Sequence, residues 1–215
     1  MTPLLQAWEH TCAVATESFV LPDGCQDLIG IQLPNAQPFW FVATLSDRVY
    51  KVNSQAGLRY VGYRFAPGAN FDEAKLLKHM AQTELDDKAS SLIAIDNCVR
   101  TDPRITEVLG ALAYEPNIKM ARHQLGISER TLQRSLNNAT GRTAIYWKRL
   151  ARWRQAALKI ANDTETPLVQ VAAEYGYFDQ AHMNLEFRHW LGVTPRDFQN
   201  NPTFCRLVND SGFGT

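Results

Sequence analysis

Between Lys119 and Lys159 the chain carries ten Lys and Arg residues against a single carboxylate, Glu129, a local charge of +9 in a protein whose formal net charge is zero. A segment charged in this way has its own positive field and attracts polyanions. Arg130, Gln133 and Arg134 fall within it, close together in sequence. Their planar guanidinium and amide groups set two hydrogen bonds side by side, the geometry that matches guanine O6 and N7 or adenine N6 and N7. A solvated basic helix face is the ordinary alternative, and charge alone does not separate the two. Catalytic spacings are missing from the sequence: it has no G-x-S-x-G, no phosphate-cradling G-x-x-x-x-G-K-[ST] and no H-E-x-x-H. Cys12, Cys25, Cys98 and Cys205 are scattered with no C-x-x-C pair, which argues against a closed zinc site or a disulfide framework. Cys25, behind the Pro22-Asp23-Gly24 turn, is the one candidate thiol sensor or, with His10 and Cys12, metal ligand; no ligand spacing supports it, and a small buried hairpin residue accounts for it. Neither enzyme activity, nor a metal, nor a cofactor is expected.

The elements that must carry these residues are those of an ordinary globular chain, with 215 residues, 45% apolar and 20% charged. No apolar run approaches the roughly 18 residues of a membrane span, and the opening MTPLLQAWEHT lacks a basic start and an apolar signal core. The expectation is a cytoplasmic protein with no membrane partner. Charge divides the chain: residues 1–99 hold 7 Lys and Arg against 11 Asp and Glu, net −4, and residues 100–215 hold 15 against 11, net +4.

Periodicity divides it as well. Up to about residue 70 strand signals dominate, at Phe19 to Leu21, Asp27 to Leu33, Phe39 to Leu45, Val49 to Val52 and Leu58 to Phe65, with Val61, Tyr63 and Phe65 alternating onto one face. Turn chemistry at Pro22-Asp23-Gly24, Pro34-Asn35 and Pro67-Gly68 separates them. From Phe71 the pattern is helical. The expected fold is α+β, with a small β-rich N-terminal domain (1–71, for sensing or dimerisation), a helical linker (72–102), an all-α domain (103–200) and a C-terminal tail (201–215).

The all-α half contains one unit twice. Ile118 to Leu125, then Gly126 and Ile127, then Ser128 to Leu136 form the first; Leu168 to Tyr175, then Gly176 and Tyr177, then Asp179 to Phe187 form the second. Each is a short helix, a glycine able to take the left-handed conformation, an apolar residue pinning the turn, and a Ser or Asp placed to cap a second helix. Each is followed by a glycine and a threonine that can cap another helix, Gly141 with Thr143 and Gly192 with Thr194. One helix-turn-helix signal is weak; two copies about 50 residues apart with matching tails are much stronger.

On these residues a family resemblance rests. Ser128, Leu132, Gln133, Arg134 and Gly141 in the first unit, and Ala172, Gly176, Tyr177, Asp179, Gln180, His182, Phe187, Arg188, Gly192 to Pro195 and Phe198 in the second, resemble the DNA-binding domain of the AraC/XylS family of bacterial transcription regulators over residues 101–199. Leu21 to Leu28 and Gly62 to Gly68 resemble a short β domain found ahead of such regulators.

The resemblance implies a tandem helix-turn-helix regulator that binds double-stranded DNA, with RNA polymerase, a small-molecule effector and a second copy of the chain as further candidate partners. A helix from Thr143 to Ala161 would hold the two units apart. If it sets the recognition helices about 34 Å apart, one DNA turn, both enter successive major grooves. Leu132 and Leu136 then face inward and Arg130, Gln133 and Arg134 face the bases; Met183 and Phe187 face inward and Gln180, Ala181, His182 and Leu185 face out. Leu185 departs from the family, which commonly has an arginine there, and a leucine can touch only a thymine methyl. Arg142, Lys148, Arg149, Arg152 and Arg188 are the phosphate-contact candidates, which position without reading bases. Two other readings stay open: a helix-turn-helix module acting through protein binding, and a DNA alkyl-acceptor repair protein that would need a reactive cysteine such as Cys25.

Overall fold

The computed structural model describes residues 3–214. The N-terminal region is built from strands β1 (Leu4–Thr11), β2 (Thr16–Val20), β3 (Gln26–Gln32), β4 (Phe39–Ala43), β5 (Tyr50–Ser54) and β6 (Arg59–Phe65). β1, β6, β3 and β4 make one antiparallel sheet in that order, and β2 and β5, which are not consecutive in the chain, pair as a separate antiparallel two-stranded sheet. Period-2 alternation puts Val61, Tyr63 and Phe65 of β6 on one buried face with Leu28, Trp40 and Val42.

Two helices cover that face. A two-stranded pairing of β7 (Asn70–Phe71) with β8 (Val99–Arg100) brackets α1 (Glu73–Met80) and α2 (Lys88–Cys98). Leu76, Met80, Leu85, Ala94, Ile95, Cys98 and Val99 share one core with the sheet. Burying a side chain such as Leu76 or Met80 contributes on the order of 1.5–3 kcal/mol, so residues 72–102 connect the two halves while completing the first core. Strand β1, at the sheet edge, is not among the strands expected from sequence. Only Leu4 and Trp8 of its eight residues are even half-buried, so no period-2 apolar signal announces it.

The second core is helical: α3 (Pro103–Tyr114), α4 (Ile118–Leu125), α5 (Glu129–Thr140), α6 (Ala144–Asn162), α7 (Leu168–Glu174), α8 (Gln180–Leu191), α9 (Pro195–Gln199) and α10 (Pro202–Val208). The 19 residues of α6 run about 28 Å at the usual rise per residue. Trp147, Leu150, Ala151, Trp153, Ala157 and Ile160 make it the buried axis around which the other helices pack. Trp153 and Trp190 lie 5.9 Å apart in this core, so helical spacing of the tryptophans here means packing and not base stacking. The segment after residue 201 folds back as α10, and Phe204, Val208 and Phe213 join the same core.

The two halves are joined by specific contacts. Leu21 is buried in the helical core, with Phe19, Leu45 and Val49 packed against it. Val49 N–H donates to the Trp190 carbonyl at 2.8 Å, Phe213 N–H donates to the Asp23 carbonyl at 2.7 Å, and Arg142 pairs with Asp47 at 2.9 Å. Gly24, with φ +76°, lies under Trp147 and Phe213: a Cβ there would stand 2.8 Å from Trp147 Cζ3 and 2.9 Å from Phe213 Cβ. The Pro22-Asp23-Gly24-Cys25 turn is therefore a docking element between the domains, and only a residue without a side chain fits it.

Candidate nucleic-acid interface

Each helix-turn-helix is fixed by local chemistry. Gly126 and Gly176 adopt φ of 63° and 72°, the left-handed turn that a Cβ disfavours. Ser128 Oγ accepts the Thr131 N–H at 3.1 Å, and Asp179 Oδ1 accepts the His182 N–H at 2.7 Å, so α5 and α8 both start on a side-chain cap, each cap contributing about 1 kcal/mol. The tails match as well. Thr143 caps α6 through the Tyr146 N–H, and Thr194 forms a reciprocal capping box with Asp197 ahead of α9.

On α5, Leu132 and Leu136 are buried, and Arg130 and Arg134 are exposed. Gln133 is half-buried, and its Oε1 accepts the Ala144 N–H at 3.4 Å, which ties α5 to the first turn of α6. On α8, Met183 and Phe187 are buried, Gln180 and Ala181 are exposed, and Leu185 is 65% exposed. His182 is half-buried: its Nδ1 accepts the Phe178 N–H at 3.3 Å and its ring sits edge-on to Tyr177 at 5.4 Å. The outward residues of the two recognition helices thus differ in kind. α5 offers two exposed guanidinium groups in its first half; the first half of α8 offers one amide and an apolar surface, and its one exposed guanidinium, Arg188, stands in the last turn.

Between the units lies a cleft of about 920 Å³ lined by Glu115, Lys119, Lys148, Arg149, Arg152 and Tyr175 among others. Three of the five phosphate-contact candidates meet there. Arg149 Nε donates to Glu186 Oε1 at 2.6 Å, and Arg152 Nη2 donates to the same oxygen at 2.9 Å. Arg152 also reaches the Gly176 carbonyl at 3.4 Å and covers the Tyr177 ring at 4.7 Å. Burial pushes the Tyr177 phenol well above its usual range, so it stays neutral under the guanidinium. Lys148 Nζ donates to the Glu115 carbonyl at 2.6 Å, and burial lowers its pKa from the ordinary lysine value. Arg142 stands apart, paired to Asp47 and set 5.2 Å over the Tyr146 ring. Arg188 is exposed in the last turn of α8.

Glu186 is not among the residues singled out from sequence. It is 3% exposed on the α8 face that also buries Met183, Phe187 and Trp190. A carboxylate in an apolar helical phase needs a cationic partner, and that signal is present in the sequence. Arg154, two residues on from Arg152, is buried but serves the tail, donating to the carbonyls of Val208, Asp210 and Phe213. Cys25 is buried, and burial followed by the neighbouring Asp23 charge pushes its thiol far above the ordinary range, the opposite of what a reactive thiol requires. Among the described residues no cluster of His, Cys, Asp or Glu could hold a metal ion, and no helix is long and apolar enough to cross a membrane.

The family of helix-turn-helix domains matches residues 120–201, from within α4 to the start of α10. No curated protein matches the chain in sequence. Among solved structures the chain is similar to ToxT from Vibrio cholerae in two crystal structures, each with a TM-score of 0.49. One is 7% identical, with 91% of this chain and 97% of that chain covered; the other is 6% identical, with 96% and 98% covered.

Proposed function

We propose that this chain, whose residues 120–201 are a helix-turn-helix domain of the AraC type, is a DNA-binding transcription regulator that reads two successive major grooves of one duplex. The observation that carries the reading is the arrangement around α6: it joins two units with capped second helices, α5 and α8, and its Lys148, Arg149 and Arg152 line a basic cleft between α4 of the first unit and α7 of the second. A phosphate backbone passing between two grooves needs positive charge in that place, while side chains on α5 and α8 reach base edges.

The roles divide by exposure. Arg130 and Arg134 are the base readers of the first half-site, with Gln133 holding α5 against α6 and within reach of the groove. Arg149, Lys148, Arg188 and Arg142 supply phosphate contacts. Arg152, held by Glu186, Gly176 and Tyr177, positions α8 against α6 and adds charge. Gln180, Ala181, His182 and Leu185 form the second reading surface. Control by the β domain would run through Asp47, which occupies Arg142, and through the Val49 to Trp190 hydrogen bond at the end of α8.

The test is selection of binding sites from random duplex, with the affinity of the selected site then measured against salt. Counterion release predicts log K falling linearly with log salt, by about 0.9 per phosphate neutralised. Failure to bind any duplex, at low salt as well as high, would sink the reading.

A further inference from the structure

The two helix-turn-helix units differ by one residue in the turn. In the first, Gly126 is followed by Ile127 and then the cap Ser128; in the second, Gly176 is followed by Tyr177, then Phe178, then the cap Asp179. Ile127 and Tyr177 both pack into the helical core. Phe178 is the additional residue, and it is 92% exposed.

An apolar residue just before a helix cap ordinarily folds onto the fourth residue of the helix and closes its first turn. Here that residue is Met183, which is fully buried, and Phe178 does not cover it. The turn is nonetheless held: Phe178 N–H donates to His182 Nδ1, and the His182 ring rests on Tyr177. The backbone of Phe178 is thus held at the entrance of α8, while its phenyl ring faces solvent. Ala181 and Leu185, one helical turn apart, are also exposed on α8, and with Phe178 they make the first half of its outward side apolar around the amide of Gln180, with Arg188 the exposed guanidinium a turn beyond Leu185. Counted from the caps Ser128 and Asp179, Ala181 and Leu185 stand where α5 carries Arg130 and Arg134, so at these two positions α8 has no guanidinium to bind guanine bidentately. The one apolar feature of a major groove is the C5 methyl of thymine.

We infer that α8 recognises a thymine-rich half-site through its methyl groups, with Phe178 and Leu185 as the specificity-determining residues and His182 as the residue that positions Phe178. This rests on the DNA-reading function proposed above and adds the base class read by the second unit. It also explains the longer turn, since the additional residue carries the contact.

Deoxyuridine isolates the methyl group, because it pairs like thymine and lacks only that substituent. Duplexes carrying the selected site are compared with duplexes in which the thymines of one half-site are replaced by deoxyuridine. Replacement in the second half-site is expected to weaken binding about fourfold per methyl read, whereas the first half-site tolerates it. Phe178→Ala and Leu185→Ala, both at exposed positions and both checked for an unchanged melting temperature, should weaken binding to the thymine duplex and shrink the thymine-to-uracil loss. Equal affinity for thymine and uracil duplexes overturns the inference while leaving sequence-specific binding intact. So does a thymine-to-uracil loss that persists undiminished in both variants. If no duplex is bound at all, the inference falls together with the function it rests on, and Phe178 and Leu185 are then a docking surface for protein.

Discussion

Glu186 Oε1 on α8 accepts a 2.6 Å hydrogen bond from Arg149 Nε on α6, with the carboxylate 3% exposed and the guanidinium 40% exposed. One end of the pair is anchored in the core and the other faces the cleft. Arg152 reaches the same oxygen, so a single buried carboxylate sets the place of two cations and of the recognition helix that carries it.

Removing that carboxylate leaves the two guanidinium groups without their shared acceptor. Breaking a buried pair costs about 3–5 kcal/mol, and the exposure of Arg149 reduces this, so Glu186→Ala should lower stability by about 2–3 kcal/mol. Urea unfolding would show it as a lower midpoint with an unchanged slope. The freed charge should at the same time strengthen binding to random duplex at low salt. An unchanged midpoint would mean that α8 is held by its apolar face alone.

Arg134 is exposed on α5, opposite the buried Leu132 and Leu136. Arg134→Ala should cost roughly 1–3 kcal/mol at the selected site and relax preference at one or two base pairs, with random-sequence affinity nearly unchanged. Arg149→Ala is its counterpart: a uniform loss across sequences and a salt slope shallower by about one unit. Exchange of these two outcomes would exchange the two assignments.

Much of this site is legible in the sequence because its determinants are local. A glycine, an apolar pin and a capping Ser or Asp lie within four residues of one another, so both turns, at Gly126 and at Gly176, can be read without any knowledge of packing. Non-local features are not legible in this way. β1 depends on pairing with β6, about 50 residues away, and shows almost no alternation of its own. The docking of Asp23 and Gly24 onto Trp147 and Phe213 joins three distant segments. Glu186 lies between these cases: a carboxylate in a buried helical phase is a local signal, but its partners lie on α6.

Arg142 is committed to Asp47 across the domain interface, with the aspartate 52% exposed. An ion pair that open to water is worth about 1 kcal/mol or less, so Asp47→Ala should leave the fold intact while releasing one cation. Affinity for any duplex should rise about two- to threefold, the rise shrinking at high salt. A drop in affinity would show instead that the β4–β5 loop supports the second unit through its contact with Trp190.

The turn at Gly24 gives a sharper stability test. Alanine there meets both the left-handed backbone penalty, about 1–2 kcal/mol, and overpacking against Trp147 and Phe213, typically 1–3 kcal/mol. Gly24→Ala should therefore destabilise by about 2–5 kcal/mol. Cys25, next in the chain, should do nothing of the kind in function. With its thiol buried and its pKa driven upward, no thiolate forms at neutral pH, so Cys25 should resist iodoacetamide until the protein unfolds, and Cys25→Ser should keep DNA affinity within about twofold. Rapid alkylation of Cys25 in the folded chain would revive the thiol-chemistry reading.

Leu185 bears on the asymmetry between the two units. It stands 65% exposed in the middle of α8, six residues after the cap as Arg134 does in α5, and its isobutyl group offers no hydrogen bond. In the unmodified protein the first half-site should therefore be defined by guanidinium contacts and include guanine, while the second should be defined by thymine methyls and tolerate change elsewhere. Leu185→Arg should move the preferred base at one position of the second half-site from thymine to guanine. Added charge alone would tighten binding to every sequence, so the measurement is the ratio of affinities for duplexes differing at that position, read in both proteins at one salt concentration. An arginine that raises all affinities equally would place Leu185 against the phosphates. A guanine already preferred by the unmodified second unit would mean that Gln180 or duplex shape does the reading, and that the apolar side of α8 faces away from the bases.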